Sequence, residues 1–524
     1  VANIETLTGL GVTLGNITHS LSETVSNILD TDHSSIIEQA SAVAVTGNAA
    51  GELSIANGIA LLAATTDDSW SYSILDAVDN IVAADGTGLS TLITGSVNVS
   101  VTGQVTTAQL KVINDATAGS ITLATTSGDL EGSTSDLLAA FAGSINEYSG
   151  NLTVSDGAEV AELNTLNAAT SGTVTYTALS DISENLVPSG TVSNYVTSNH
   201  TVTIEDQVSL SQLVSINAAT AGAITLNVTS GTLSGSASDL TSAFGGTITE
   251  YTGTLTATGS AANLSQAEVI FNATSGTSSY AVADLANTLA VAPGSATQMA
   301  ALKNASSVTV NASALQETID MSGFSGDNTV NLVINGNSRG NTITGGDGND
   351  TIAAVGEDDT IYGGLGDDNI TSGDGLDLHV FSTIYSLNGA DTVTDFEAGD
   401  TIQFLFGDAG ELTNKAALRG DGSDYLEVAS SGALGTNAGL VVITDTQSNL
   451  AASTARTIAE GLTGEAADDM FYLAFDNGTD TAIYRVADTD SDATSFETAE
   501  LIVTLEGIRN ADDILVSSAF TDFG

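Results

Sequence analysis

Short segments in which apolar and polar residues alternate recur along the first 320 residues. Examples are ITLATT from Ile121, TVTYTAL from Thr173, HTVTIED from His200 and SVTVNAS from Ser307. A period of two residues indicates half-buried strands, and stretches with helical spacing, such as VAELNTLN from Val160, lie between them. A strand every 20–30 residues favours a repetitive, parallel β-solenoid-like array with some short helices. A chain of separate β-sandwiches is the alternative.

The array is an internal repeat. The segment that begins at Ile113, INDATAGSITLATTSGDLEGS, recurs from Ile216 as INAATAGAITLNVTSGTLSGS, a shift of 103 residues. Within this double unit an N-x-A-T-(A/S)-G phrase returns about every 50–55 residues, a spacing typical of stacked repeats. The phrase opens at Asn114, Asn167, Asn217 and, one residue shorter, at Asn272. We expect these asparagines to cap turns or to stack inside the coils, and we assign residues 36–316 to the repeats.

The two ends of the chain differ from this array. Residues 1–35 contain apolar residues at helical spacing, which predicts a helical or linking segment. Residues 406–524 alternate again in strand fashion, as in MFYLAFD from Met470, and predict a β-rich C-terminal domain for assembly and export. Between the array and this domain, residues 317–405 are dense in Gly, Asn and Asp.

The charge balance excludes several partners. Eight Lys and Arg residues face 64 Asp and Glu residues, which gives a net charge of −56. Only Lys111 precedes Lys303, so no basic patch is present there to bind nucleic acid or an anionic membrane. A hydrophobic content of 42% nevertheless indicates a folded chain rather than an acidic disordered one. Cysteine is absent, and no apolar run is long enough to cross a bilayer, so we expect no membrane insertion.

A nine-residue period begins at Gly336. Its template is G-G-x-G-x-D-x-U-x, where U is a large apolar residue, and the successive copies are GNSRGNTIT, GGDGNDTIA, AVGEDDTIY, GGLGDDNIT and SGDGLDLHV. Six residues make a glycine-rich turn and three make a strand, so two nonapeptides close one coil of a parallel β-roll. The sixth position places a polar side chain in each turn: Asn341, Asp350, Asp359, Asp368 and Asp377.

Stacked turns bring these carboxylates close together, which destabilises the fold unless a cation binds. Calcium accepts six to eight oxygens in a loose geometry, whereas magnesium requires a tight octahedron and zinc prefers nitrogen or sulfur. We therefore predict several Ca²⁺ ions, bound by the sixth-position side chains and by turn carbonyls. The candidate carbonyl donors belong to Gly346, Gly348, Gly364 and Gly366. Asp347, Asp358, Asp367 and Asp374 lie outside the sixth position, and we expect them to be solvated.

This segment resembles the RTX (repeats-in-toxin) family of calcium-binding β-rolls. The phrase GLDLHVFSTIYSLNGADTVTDFEAGDTIQF is similar to the end of the RTX module in serralysin-type proteins. The resemblance implies a terminal calcium site with candidate ligands Asp377, Asp391, Asp395 and Asp400. It also implies export through a C-terminal signal without a cleaved leader, and folding where calcium is plentiful. Ala354-Val355 replaces Gly-Gly, and Arg339 and Asn341 replace Gly and Asp, so the edge sites are expected to be weak or empty.

Motifs for catalysis are not evident. None of the four histidines lies in H-E-x-x-H, so the zinc protease that often precedes such a module is not indicated. Residues 336–340, GNSRG, match the lipase motif G-x-S-x-G, but they fall within the nonapeptide register rather than between a strand and a helix. We therefore predict a protein that is not an enzyme.

These features together predict a secreted structural protein of the bacterial cell surface. It would assemble with copies of itself into a surface layer, filament or fibrillar coat when calcium binds, and it would contact cell-surface polysaccharide. The alternative is an RTX adhesin that binds a glycan or a surface, and a third possibility is a hydrolase that uses the roll for export only.

Overall fold

A computed structural model describes most of the chain. The described residues are 20–23, 42–45, 52–64, 72–83, 85–197, 199–382, 388–405, 424–428, 430, 438–462, 470–487 and 496–509. The chain divides into two compact units, Val1–Thr229 with Gly246–Thr249, and Ser230–Gly245 with Glu250–Gly524. The boundaries predicted from the sequence remain predictions.

The first unit alternates short strands with short helices. Its strands are β1 (Ser20–Glu23), β2 (Ala42–Val45), β3 (Glu52–Leu53), β4 (Ser73–Ala77), β5 (Asn98–Thr102), β6 (Ile121–Leu123), β7 (Leu130–Gly132), β8 (Leu152–Val154), β9 (Gly157–Ala158), β10 (Val174–Thr175), β11 (Ala178–Asp181), β12 (Thr201–Ile204) and β13 (Ile224–Leu226). Its described helices are α1 (Ile55–Ala64), α2 (Val78–Ile81), α3 (Thr107–Ala116), α4 (Thr134–Ala140), α5 (Val160–Ala169), α6 (Ser183–Leu186) and α7 (Leu210–Ala219). A 3₁₀ turn covers Pro188–Gly190.

Every described strand pairing of the first unit is parallel. The sheets have the orders β1-β2, β3-β4-β5-β6, β7-β8-β10 and β9-β11-β12-β13. In the last three sheets, paired residues are separated by 21–25 positions in sequence, as for Glu52 and Ser73 or Ser73 and Asn98. The smallest structural period is thus one coil, about half of the 50–55-residue unit visible in the sequence. Parallel pairing excludes a chain of antiparallel sandwiches in this part of the protein.

Threonine and glycine of the T-(A/S)-G phrase join successive coils. The buried Thr170 hydroxyl donates to the carbonyl of Gly150, 2.7 Å away, and accepts from the amide of Gly172 at 2.9 Å. The same pair of bonds is formed by the threonines at positions 117, 220 and 274. A Cβ on Gly172 would overlap the Gly150 carbonyl, so glycine is needed for the close approach of the two backbones.

Aspartates at strand ends cap the helices of neighbouring coils. The Asp181 carboxylate accepts from the amide of Val160, the first residue of α5, at 2.9 Å. Its other oxygen accepts from Ile182 and Asn185. Asp76 does the same for Ile55, the first residue of α1. Helix N-termini attract negative charge, so these carboxylates stabilise both the helix and the junction between coils.

The repeated asparagines do not form the internal ladder that the sequence suggested. They lie on the C-terminal turns of helices, where Asn167 and Asn272 are exposed. The Asn114 amide donates to the Ala139 carbonyl of the next helix at 2.8 Å. The buried faces of these helices consist instead of the apolar residues Leu110, Ile113, Leu163, Leu166, Leu213 and Ile216. Helical periodicity places residues three or four positions apart on the same face, and the asparagines do not fall on the buried face.

The predicted helix in residues 1–35 does not hold where the structure describes it. Ser20–Glu23 form β1, in parallel register with Ala42–Val45. The sequence SLSE fits alternation as well as helical spacing, and short segments of this kind do not distinguish the two. The rest of that segment lies outside the described residues.

The second unit contains most of the described strands. They are β14 (Thr232–Gly235), β15 (Thr254–Ala257), β16 (Ser278–Ser279), β17 (Val282–Leu285), β18 (Val308–Asn311), β19 (Thr318–Asp320), β20 (Leu332–Asn337), β21 (Thr342–Thr344), β22 (Thr351–Val355), β23 (Thr360–Tyr362), β24 (Asn369–Thr371), β25 (Leu378–Ser382), β26 (Asp391–Val393), β27 (Thr401–Leu405), β28 (Asp424–Val428), β29 (Ala438–Ile443), β30 (Met470–Asp476), β31 (Thr481–Ala487) and β32 (Thr498–Leu505). The helices are α8 (Ala237–Phe244), α9 (Leu264–Asn272), α10 (Ala286–Leu289), α11 (Ala296–Asn304) and α12 (Ala452–Gly461), with 3₁₀ turns at Ala292–Gly294 and Gly326–Asn328.

Two large sheets organise this unit beside the small sheet β14-β15-β16. One has eleven strands in the order β17-β18-β20-β22-β24-β26-β32-β31-β30-β29-β28, and the other has five in the order β19-β21-β23-β25-β27. From β20 to β27 the chain enters the two sheets in turn. Parallel neighbours are 18 residues apart from β20 to β25, as for Ile334 and Ile352. Two nonapeptides therefore make one coil, which fits the predicted β-roll.

The eleven-stranded sheet continues past the roll. β26 pairs in parallel with β32, and β32 pairs with β31 and β31 with β30 in antiparallel fashion. α12 packs beside these strands, where its buried Ala455, Ile458 and Ala459 join a core with Phe471 and Phe475. The described strands of the C-terminal segment are thus hydrogen-bonded to the roll through one sheet.

We expect Thr170→Val to lower the free energy of unfolding by about 1–3 kcal/mol, because a buried carbonyl and a buried amide lose their shared partner while the side chain keeps its shape. Denaturant unfolding followed by circular dichroism measures the change. The control is Thr225→Val, at an exposed position of β13, which should change stability by less than about 0.5 kcal/mol. Equal stability of the two variants would contradict the role of the threonine bridge.

Candidate metal centre

The sixth-position side chains form two rows together with Asp391 and Asp400, one row beside each large sheet. Row A consists of Asp350, Asp368 and Asp391, which directly precede or begin β22, β24 and β26. Row B consists of Asn341, Asp359, Asp377 and Asp400, which directly precede β21, β23, β25 and β27. All seven side chains are buried, each with 3% or less of its surface exposed. The structure thus separates the predicted ligands into two sets that face different edges of the roll.

Backbone hydrogen bonds hold each row together. One carboxylate oxygen accepts from the amide of the row member in the preceding coil: Asp368 from Asp350 at 2.8 Å, and Asp377 from Asp359 at 2.8 Å. Asp391 and Asp400 continue the two rows with bonds of 3.0 and 3.1 Å. At the start, Asp350 accepts from Leu332 and Asp359 from Asn341. Because Asp at this position accepts from the chain one coil earlier, the carboxylates stack along the roll.

The second carboxylate oxygens are not all paired. Oδ2 of Asp359, Asp368 and Asp377 is buried and has no hydrogen-bond partner. A buried, unpaired carboxylate oxygen is costly, and a bound cation removes the cost. These three buried oxygens are the structural observation that fits a bound cation.

Burial changes the acidity of both rows. Desolvation raises the pKa of Asp350 to about 6, of Asp359 to about 7, of Asp391 to about 8 and of Asp368 to about 9. It also raises the pKa of Asp377 and of Asp400, and neighbouring carboxylates add to each shift. Without a cation, Asp368 and Asp391 favour the protonated form near neutral pH.

The predicted glycines lie where two turns approach most closely. A Cβ on Gly364 would overlap the Gly346 carbonyl, and one on Gly366 would lie 2.7 Å from the Gly348 carbonyl. Gly364 and Gly366 also have φ values of 116° and 108°, which favour glycine. Carbonyl oxygens of one turn therefore lie directly against the next turn, beside row A. The Gly346 carbonyl also accepts from the Leu365 amide at 3.0 Å.

This donor set suits calcium. Among the described residues, no three Asp, Glu or His side chains converge on one point, so the carboxylates alone do not form a site. The remaining oxygens must come from turn carbonyls and water, a mixture that Ca²⁺ accepts and that Zn²⁺ does not. Row carboxylate oxygens that lack a protein partner would hold the ion, and the glycine carbonyls would complete its shell.

Asp395 differs from the other predicted ligands. It is only half-buried, and both of its oxygens accept backbone bonds, from Ser372 at 2.9 Å and Gly373 at 2.8 Å. The structure therefore places it as an anchor of the turn that leads to Asp377. The other predicted ligands of the terminal site are divided between the rows. Asp377 and Asp400 belong to row B, whereas Asp391 belongs to row A.

A second ladder, at the fifth position, was not predicted. The Asn331 amide oxygen accepts from the Asn349 backbone, Asn349 from Asp367, and the Asp367 carboxylate from Ala390. Here the acceptor belongs to the earlier coil, the reverse of the sixth position. The recurrent Asn or Asp at position five was the available signal. Asp358 follows the same rule toward Leu376 in row B, so these acids brace turns although they are exposed.

His379 occupies the eighth position, where the other repeats have isoleucine. It is buried, in register with Ile361 and Ile402, and 5.6 Å from Phe396 between ring centroids. Neither ring nitrogen has a hydrogen-bond partner, and burial lowers the pKa of His379 to about 4. It therefore acts as a neutral interior residue. The G-x-S-x-G match lies at the end of β20 and in the turn before β21, with Ser338 exposed, so its context is not that of a nucleophile elbow.

The third nonapeptide is strained. Val355 and Glu357 take φ values of 96° and 65° at the second and fourth positions, where the template has glycine. Positive φ is unfavourable for a β-branched side chain. The backbone of this turn therefore keeps the conformation of the glycine template, although Ala354-Val355 replaces Gly-Gly.

The pH dependence of the metal-free protein should be opposite to that of paired carboxylates. The pKa values of row A and row B are raised in the folded state, so their contribution to stability is present below about pH 4 and is lost as pH rises through about 6 to 9. In chelator, the second unit should therefore unfold at a lower temperature at pH 8 than at pH 5. Calorimetry measures this, and saturating calcium should remove or reverse the trend, because protons compete with the ion. A metal-free stability that rises from pH 5 to pH 8 would contradict it.

We expect Val355→Gly to stabilise the protein by about 1 kcal/mol, because glycine adopts the observed φ without strain. Val333→Gly is the matched control, since Val333 is also an exposed valine of the same sheet but is not at positive φ, and it should destabilise. Calorimetry in calcium measures both. A loss of stability in both variants would show that the turn strain is absent in solution.

Comparison with known families supports the cation assignment. A family model of the RTX calcium-binding nonapeptide repeat, which describes four copies, matches residues 335–370 and 344–378. No curated protein and no solved structure matches the chain. The matched residues include the strands β21 to β24 and the turns of both rows. Residues 335–378 are therefore RTX repeats that bind Ca²⁺.

Proposed function

We propose that this chain is a secreted structural protein that assembles with copies of itself on the bacterial cell surface when calcium binds. RTX-repeat proteins are typically secreted, and none of the described helices is long and apolar enough to span a membrane. The observation that carries the proposal is a roll of calcium-binding repeats that follows a long array of polar, repetitive coils along the chain. Such an array presents regular surfaces and suits a scaffold.

The charge of the chain supports a role for calcium beyond the roll. A net charge of −56 makes two copies repel each other, and the described ion pairs, Lys111 with Asp136 and Arg485 with Glu500, neutralise little of it. Divalent cations bound in the roll lower this charge. They also bind the folded form only, so calcium shifts the equilibrium toward order. In this proposal the soluble monomer and the assembled layer or filament differ in bound calcium.

The proposed role is structural rather than catalytic. The acidic side chains of rows A and B are committed to backbone bonds within the roll. The buried His379 packs in its interior, and His200 contacts Tyr176 with its ring. The His200 Nδ1 atom lies 3.0 Å from the Thr197 hydroxyl and 3.2 Å from the Tyr195 carbonyl, and the nitrogens of His379 have no hydrogen-bond partner.

The alternative function is an adhesin that binds a glycan. It is favoured by an aromatic cluster of the first unit, in which Tyr176 lies 4.3 Å from His200 and 6.1 Å from Tyr195 between ring centroids. All three rings are partly exposed, and the Tyr195 hydroxyl donates to Asn164. Partly exposed rings beside polar groups are suited to stacking against sugars.

Calcium should convert the purified protein into ordered assemblies. We expect light scattering to rise and electron micrographs to show sheets or fibres when calcium is added to chelated protein, and both changes to reverse on chelation. Magnesium at the same concentration should not replace calcium, because it tolerates the irregular oxygen shell poorly.

The control for this experiment is a pair of charge-matched variants. Asp368→Asn removes a buried carboxylate of row A and should raise the calcium needed for assembly by about tenfold. Asp374→Asn removes an exposed carboxylate of a neighbouring turn and should leave it unchanged within about twofold. A wild-type protein that gains structure with calcium but remains monomeric would refute assembly. Glycan binding that is lost in Tyr195→Ala would then establish the adhesin.

A further inference from the structure

The second oxygen distinguishes the row members. In every aspartate of rows A and B, one oxygen accepts from the preceding coil, so the first bond is common to all. The second oxygen has three different environments: a protein amide side chain, a backbone amide, or nothing. These environments are not scattered. They change with position along the roll.

At the N-terminal end, row B begins with an amide in place of a carboxylate. Asn341 Oδ1 accepts from the Asn337 backbone at 3.0 Å, and its Nδ2 donates to the Gln316 carbonyl at 2.9 Å. The Asn337 side chain donates to the same carbonyl at 2.7 Å and to Ser313 at 2.8 Å. A carboxylate at 341 would lose the donor and face the carbonyl oxygen of Gln316. The end of row B is therefore closed by neutral groups.

Row A is closed at its C-terminal end in a similar way. The buried Asn388 side chain donates to Asp391 Oδ2 at 2.8 Å and to the Ile502 carbonyl of β32 at 3.3 Å. Its own oxygen accepts from the Ser382 amide at 3.0 Å. Asn388 thus supplies the donor that a cation would otherwise supply to Asp391.

Backbone amides close the two remaining ends. Asp350 Oδ2, at the start of row A, accepts from Gly346 at 2.9 Å. Asp400 Oδ2, at the end of row B, accepts from Glu397 at 2.7 Å. Each terminal member of both rows therefore has protein partners for both polar atoms of its side chain.

The three central aspartates have no such partner. Oδ2 of Asp359, Asp368 and Asp377 is buried and unpaired. Asp368 is the middle member of row A, and Asp359 and Asp377 are the two middle members of row B. The nearby Ser372 hydroxyl donates to Asp395 at 3.3 Å, and Oδ2 of Asp377 has no hydrogen-bond partner.

We propose that the calcium requirement of this roll is confined to Asp359, Asp368 and Asp377, and that Asn341 and Asn388 replace the cation at the two ends. The ends are then held by the protein alone, and calcium orders the coils between them. The matched RTX sequence does not distinguish these positions, because Asp350, Asp359 and Asp368 all fit its template. The distinction comes from the contacts of the second oxygen.

The test is the calcium affinity of single variants of the full chain, measured by competition with a chromophoric chelator, with the number of ions counted by native mass spectrometry. Asp359→Asn, Asp368→Asn and Asp377→Asn should each lose an ion or weaken the tightest binding by about tenfold or more. The controls, Asp391→Asn in row A and Asp400→Asn in row B, should change it by less than about threefold. Equal losses in central and terminal variants would overturn the proposal.

Hydrogen exchange of the wild-type protein gives a second readout that does not depend on variants folding. In chelator, amides of β22 to β25 should exchange fast, while those of β18, β20 and β21 and of β30 to β32 stay protected; calcium should protect them all. Asn341→Asp should extend fast exchange in chelator to β21. Uniform exchange across β18 to β27 in chelator would contradict the closed ends.

These measurements are made on the protein in solution below the concentration at which it assembles. The inference rests on calcium binding by the RTX repeats and not on assembly. If the ion pattern is as expected and no assembly occurs, the proposed function fails and the assignment of the central sites stands.

Discussion

The burial of carboxylates in stacked turns is the constraint on which the second unit depends. The roll gains its regularity because each sixth-position side chain reaches one coil back to a backbone amide, as Asp368 does to Asp350. The same geometry places negative charge where solvent does not reach, and the raised pKa of Asp368, about 9, measures the conflict. A fold built in this way is complete only with a cation, so calcium is a structural component of the roll.

In the first unit, a strand-end carboxylate also accepts a hydrogen bond from the preceding coil, but its second oxygen has donors as well. Asp181 also receives an amide from the preceding coil, that of Val160, but its second oxygen has the Asn185 and Ile182 donors. The helix between the strands makes this possible, because its first amides need an acceptor. In the roll, a three-residue strand and a glycine turn replace the helix, and no amide donates to the second oxygen of Asp359, Asp368 or Asp377. The shorter coils of the roll have no helix N-terminus to donate to these carboxylates, and a bound calcium ion stabilises them instead.

Much of this organisation could be predicted from the sequence. The nine-residue period fixed the order of turns and strands, and alternation located strands such as β6, β12 and β18. The coil length of the array could not be derived, because the sequence repeat covers two coils and conceals the shorter period. The bridging role of Thr170 was not predicted, and Asn167 is exposed rather than stacked inside the coil, since burial on a helix depends on which face the helix turns inward. The second-oxygen contacts of Asn388 could not be predicted either. They involve a strand more than 100 residues away in the sequence, and only the fold brings that strand close.

The position of the calcium-dependent coils within the sheet gives them influence beyond the roll. β22 and β24 lie in the eleven-stranded sheet between β20 and β26, and β26 connects onward through β32. A parallel strand depends on both neighbours for its hydrogen bonds, so the loss of β22 and β24 would divide the sheet into two separate parts. Each part would expose an edge with unpaired amides and carbonyls. In the proposal above, calcium at Asp368 orders β24 of this sheet, and calcium at Asp359 and Asp377 orders β23 and β25 of the five-stranded sheet, so the bound ions control the continuity of both sheets.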